Sequence, residues 1–186
     1  MNTRSVRFWA ASIFALALIA TNAVAGSHSW RVNELYSNAS GTIQFIELKE
    51  CCGLSQEIFV VTYEVTSNTS TFMFPGNLIG PTSNKTLLLA TDGFAALPGA
   101  PARDYEISAN FFSIDGDTIR YFPEGNYDTF SFGSGVLPTN GVDSIQITNF
   151  NTHTFVTGPN TPTNYAGQTG SVSGNIPAIS EWGVVL

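Results

Sequence analysis

The chain has 186 residues, a formal charge of −7, and charged side chains at only 11% of its positions. Seven basic residues are too few to displace counterions along a nucleic acid or to hold an anionic lipid surface, so neither is expected as a partner. The surface must therefore be clothed in neutral polar residues, mainly Ser, Thr, Asn and Gly, a composition suited to an exported protein.

Residues 1–7 carry Arg4 and Arg7 and no acid, and residues 8–20 are apolar except for Ser12. Ala23-Val24-Ala25 then supplies the small-x-small pattern that a signal peptidase accepts, which places cleavage before Gly26. The apolar core of about 13 residues falls short of the roughly 20 needed to span a bilayer as a helix. Residues 1–25 thus read as a secretory signal peptide. What remains is 161 residues with five basic and fourteen acidic side chains, a formal charge of −9. That length is enough for one domain with a real core.

Residues 30–36 mix apolar and polar positions and run into a turn signal at Ser37-Asn38. Residues 42–50 are strand-like, with Ile43 and Phe45 on one face and Ile46 and Leu48 on the other. That change of phase predicts either a bulge or a strand buried on both sides. Residues 57–66 carry the clearest alternation, with Phe59, Val61, Tyr63 and Val65 on one face. Phe72 and Phe74 alternate before Pro75-Gly76. Residues 85–91 read as a buried strand from their unbroken apolar middle. Residues 93–97 make one helical turn at most. Residues 117–122, 128–132 and 143–150 are further short strands bounded by Gly, Pro or Asn. No 3.6-residue stripe persists over three turns, so the expected fold is an all-β antiparallel sandwich occupying residues 26–156. Residues 157–175 turn to Gly, Thr, Asn, Ser and Pro with almost no large apolar side chain, the composition of a flexible linker.

The two cysteines, Cys51 and Cys52, are adjacent. Three states are open to them: a vicinal disulfide, a pair of free thiols, or links to another chain. An oxidising compartment favours the first. His28 and His153 are the only histidines after residue 25, and neither has a partner at ligand spacing, so both read as surface residues.

Glu34-Leu35, then Phe45-Ile46-Glu47-Leu48, and later the aliphatic run ending at Ala90-Thr91-Asp92 resemble the opening of a lamin-tail-type domain. That resemblance implies an immunoglobulin-like sandwich and an accessory, non-catalytic role in an exported protein. The chain departs from the family's pattern after Glu50, where Cys51-Cys52-Gly53 stand in place of a polar turn and a Gly-Trp pair.

A second resemblance lies at the carboxyl end. Ile176, Pro177, Ala178, Ile179, Ser180, Glu181, Trp182 and Gly183 are similar to the IPTL-type sorting signal of Gram-negative bacteria. The resemblance implies recognition by the export machinery and by an exosortase-like enzyme, with delivery to the cell envelope, cell surface or medium. In that family a membrane helix and a basic tail follow. Here only Val184, Val185 and Leu186 do, so contact with the membrane would need a helix that this sequence lacks. Either the chain is a fragment or the anchor has been lost.

The function expected from these features is non-catalytic display, whether structural, adhesive or interactive. A calcium- or carbohydrate-binding module is the alternative. Asp115-Gly116-Asp117, with Glu124 and Asp128 beyond, gathers carboxylates that a hard cation prefers, although Asp-Gly is also a common turn pair. Tyr121, Phe122 and Tyr127 could stack on sugar rings or pack the core. Gly-x-Ser-x-Gly, His-Glu-x-x-His and phosphate-loop patterns are all absent, and no cofactor is expected. A secreted hydrolase with a carboxylate pair is the third reading.

Overall fold

A computed structural model describes residues 26–122 and 124–174. Ala23 and Ala25 of the cleavage pattern lie outside the described residues, as do Ile176, Pro177, Ser180, Glu181, Trp182 and Gly183 of the sorting motif. Gly26 is the first residue described. Among the described residues no helix is long and apolar enough to cross a membrane.

The expected two-sheet antiparallel sandwich is what the chain forms. Strands β1 (Trp30–Ser37), β2 (Gln44–Glu50), β5 (Thr86–Ala90), β6 (Tyr105–Glu106), β9 (Asp143–Asn149) and β10 (Thr154–Pro159) build a sheet in the order β10-β9-β1-β2-β5-β6. Among the described residues only the short β5–β6 pairing is parallel. Strands β3 (Glu64–Thr66), β4 (Thr71–Met73), β7 (Asp117–Tyr121) and β8 (Asp128–Phe132) form the second sheet, ordered β4-β3-β7-β8. Helix α1 (Asp92–Ala95) is the single turn expected after β5, capped by the Thr91 hydroxyl, which accepts from the Phe94 amide.

Between the sheets lies the main core. Trp30, Val32, Leu35, Ile46, Leu48, Leu87 and Leu89 project from the larger sheet, and Val65, Ile119, Tyr121 and Phe130 from the smaller. Tyr121 is buried, and its hydroxyl donates to the Ser27 carbonyl at 2.7 Å, which satisfies the one polar group on that ring. Tyr63, Phe122 and Tyr127 pack around it, so these aromatics serve the core.

A second apolar cluster covers the outer face of the larger sheet: Tyr36, Ile43, Phe45, Leu88, Ala90, Phe94 and Val172. Phe45 stacks on Tyr36 at 5.3 Å between centroids and meets Phe94 edge-on at 5.2 Å. β2 is therefore buried on both sides, which accounts for its split phase, while the irregular register sits in β1 between Val32 and Glu34.

Two expectations are corrected. In residues 57–66 only Glu64–Thr66 is strand. Residues 57–62 turn instead, with Val60 buried and Phe59 and Val61 exposed. Local capture explains the change. The Trp30 indole donates to the Glu57 carbonyl, the Glu57 amide to the Thr82 hydroxyl, and the Val61 amide to the Asn77 side chain. A ladder would have had to give up all three.

The linker reading of residues 157–175 fails over 157–174. β10 runs through Pro159, and residues 160–174 then lie across the outer face of the larger sheet as part of the domain. The segment is held by hydrogen bonds more than by apolar area. Asn160, fully buried, donates through Nδ2 to the carbonyls of Val142 and Val172 at 2.6 and 2.7 Å and accepts the Val172 amide at 2.8 Å. Asn164 donates to the Ala102 carbonyl. Gly170 lies so close to the Gly99 carbonyl and Pro101 that any Cβ there would collide. The small residues that look like linker composition are what let the segment lie flat.

Candidate functional site

The outer face of the larger sheet has an apolar half, described above, and a polar half. Glu34 on β1 and Glu47 on β2 are register partners across the antiparallel pair. Each is only 2% exposed. Glu34 accepts the Ser144 hydroxyl at 2.6 Å, the Thr161 amide at 2.8 Å and the Thr161 hydroxyl at 3.1 Å. Glu47 accepts the Asn33 side-chain amide and the Thr163 backbone amide, both at 2.5 Å. The two carboxyl groups thus clamp the segment 161–163 onto the sheet.

Burial pushes the Glu34 carboxyl above its ordinary value, against hydrogen bonds from Ser144 and Thr161 that favour the ion. Burial pushes Glu47 further, up to about 8, with the neighbouring Glu34 adding to the rise and the Thr163 amide opposing it. Two carboxylates side by side in a low-dielectric site resist ionising together.

Above them opens a cavity of about 270 Å³, lined by Lys49 and Lys85 as well as by Asn33, Thr86 and Thr163. Lys49 is the register partner of Thr86, which follows Lys85 directly. The Lys85 ammonium lies 5.6 Å from the centre of the Tyr165 ring.

The residues singled out from the sequence fall elsewhere. Asp115 is exposed on a turn. Asp117 is buried, and its two oxygens accept the amides of Asn68, Ser113 and Thr118 at 2.6 to 2.8 Å. Its carboxylate ties the loop 67–70 and the loop before β7 to the strand. Asp128 is also buried, accepting the Val32 amide on one oxygen and meeting His153 Nε2 at 2.7 Å with the other. His153, expected to be an incidental surface residue, is thus partly buried and partnered, while His28 is exposed. Glu124 stands on an exposed turn. Among the described residues no group of three or more His, Cys, Asp or Glu is arranged to hold a metal ion.

Cys51 and Cys52 are bonded to each other just past the end of β2. The Glu50 carboxylate beneath them accepts the amides of Cys52, Gly53 and Asn84 at 2.8 to 2.9 Å. Burial works to raise this carboxyl, but the backbone amides outweigh it and hold Glu50 below its ordinary value.

Sequence reasoning met Glu34 and Glu47 only as parts of a family resemblance, and it passed over Lys49 and Lys85. The available signal was an ionisable residue set inside a run otherwise apolar on both faces, which must find an internal partner. No protein-family model, no curated protein and no solved structure matches the chain. The functional reading therefore rests on the residues themselves.

Proposed function

We propose that the chain is an exported, non-catalytic module for display at the cell surface or in the medium, acting through binding. One observation carries the non-catalytic part of this reading. Glu34 and Glu47 are the best-placed pair for acid–base chemistry, yet their oxygens are already taken by donors of the chain itself. A general acid or a nucleophile needs an oxygen free to reach substrate. His153 also lacks the third member of a triad, since its partner is Asp128 and no hydroxyl side chain among the described residues bonds to its ring.

The export part is supported by the basic, apolar and small-x-small order of residues 1–25 and by the sparsely charged composition. The resemblance of residues 176–183 to a sorting signal supports the export machinery and an exosortase-like enzyme as partners.

The test uses the full chain expressed in a Gram-negative host. Intact-mass analysis of the envelope, periplasm and medium should find a chain that begins at Gly26. Recovery of unprocessed protein beginning at Met1 in the cytoplasm overturns export. Incubation of the processed protein with chromogenic glycosides, esters and peptides should yield no product. Turnover that disappears in Glu47→Gln or Glu34→Gln overturns the non-catalytic reading.

A further inference from the structure

We infer that the cavity over Glu34 and Glu47 binds a compact, hydroxyl-rich anion, and that a uronic acid residue of an acidic glycan is the ligand class it fits. The inference rests on the reading of the chain as a binding module and names what that module takes.

Positive charge is concentrated at this cavity. Only five basic residues follow residue 25: Arg31, Lys49, Lys85, Arg103 and Arg120. Arg103 is paired with Asp92 and Glu106, both at 2.7 Å. Arg31 donates to the carbonyls of His28 and Trp30, and Arg120 to that of Thr118. Lys49 and Lys85 are the two cations that form no ion pair and no side-chain hydrogen bond among the described residues, and both line this one cavity. Two of the five bases thus meet at one cavity, where Lys85 also stands 5.6 Å from the centre of the Tyr165 ring.

The acids of the site form no ion pair with Lys49 or Lys85 among the described residues. Glu34 and Glu47 turn their oxygens to Ser144, Thr161, Asn33 and Thr163 instead of to the lysines. Burial further favours the neutral form of Glu47. Lys49 and Lys85 thus bring positive charge to a site whose floor acids are held by other donors.

The walls of the cavity are polar. Thr86, Thr161, Thr163, Asn33, Asn84 and Asn164 are hydroxyl and amide side chains; Thr86 and Thr161 already donate to the Asn164 carbonyl and to Glu34, and their oxygens keep lone pairs that accept from the hydroxyls of a polyol. A volume of about 270 Å³ lies at the small end of ligand sites, near the ~300 Å³ lower bound, and suits one sugar residue better than a larger ligand. A polar lining also argues against a lipid chain. Lysines act as point charges and hold an anion without the planar fork geometry that arginine imposes.

The test is calorimetric titration of the processed full-length chain with digalacturonate, digalactose and inorganic phosphate. Binding of the digalacturonate alone, weakened about tenfold by Lys49→Gln or Lys85→Gln and weakened by salt, is expected from the loss of one charged hydrogen bond. Arg120→Gln, away from the cavity, serves as the control and should bind as the parent does. Absence of digalacturonate binding overturns the inference. Equal binding of digalactose removes the need for charge, and equal binding of phosphate removes the need for the sugar; either result overturns it. Chain-length analysis of the digalacturonate after titration separates the two readings. Cleavage together with lysine-dependent binding upholds the site and overturns the non-catalytic role.

Discussion

Replacing Asn160 by alanine tests whether residues 160–174 belong to the fold. Asn160 is fully buried, and its side chain supplies both hydrogen bonds that hold the backbone of Val172, itself 3% exposed. The Val142 carbonyl would keep a partner, because the Asn160 amide also donates to it at 3.0 Å. The N–H and C=O of Val172 would not. Each orphaned buried group costs about 1–3 kcal/mol, so the substitution should destabilise the domain by about 4 kcal/mol. That is a large part of the 5–15 kcal/mol typical of a domain. Urea unfolding followed by circular dichroism reads the change directly. Ala166→Ser, exposed in the same segment, should stay within about 0.5 kcal/mol of the parent. If Asn160→Ala also stays within that margin, the segment is not integral and a loosely attached tail becomes the better description.

Glu47→Gln should alter how stability depends on pH. The Glu47 carboxyl titrates near 8 when folded, against an ordinary 4.5. Between those values the unfolded chain has released a proton that the folded chain retains, so stability falls as pH rises from about 4.5 to 8. Glutamine cannot ionise, so this part of the slope should vanish, leaving that of the other shifted carboxyls, of which Glu34 and Asp104 have the same sign. Urea midpoints at pH 5 and pH 8.5 would reveal it, and identical slopes in parent and variant would refute the assignment. Ionisation of Glu47 above pH 8 also adds negative charge beside Glu34, Lys49 and Lys85, so anion binding should weaken there. Cys51 and Cys52 should be unreactive toward a thiol reagent until reduced. Changing both to serine should cost under about 1 kcal/mol, because their ring closes no long loop. Disulfide-linked dimers on a non-reducing gel would contradict that pairing.

Much of the sandwich was legible. β5 showed as an unbroken apolar run, and β7, β8 and β9 as short alternations bounded by Gly, Pro or Asn. In residues 42–50 the opposed phases of Ile43/Phe45 and Ile46/Leu48 left either a bulge or a strand buried on both sides, and the second holds for β2. What hid the cover was its chemistry. Residues 160–174 contribute Val172 and otherwise attach through Asn160, Asn164, Thr161 and Thr163, with glycines at close approaches, so no apolar period marks them. The failed strand at residues 57–62 is the converse case. Its alternation was real, but three side-chain captures won over the ladder. The candidate site was the least legible part, because it depends on register. Only the pairing of Glu34 with Glu47, and of Lys49 with Thr86, brings its charges together.

The clamp also fixes when folding can finish. Thr161 reaches back 127 positions to Glu34, and Thr163 reaches back 116 to Glu47. The first hairpin emerges early from a ribosome or a translocation channel, yet its outer face and two buried acids stay open until nearly the whole domain has followed. Such long-range closure is intrinsically slow. A chain that emerges amino end first would therefore leave Glu34 and Glu47 without these partners until residues 161–163 have followed.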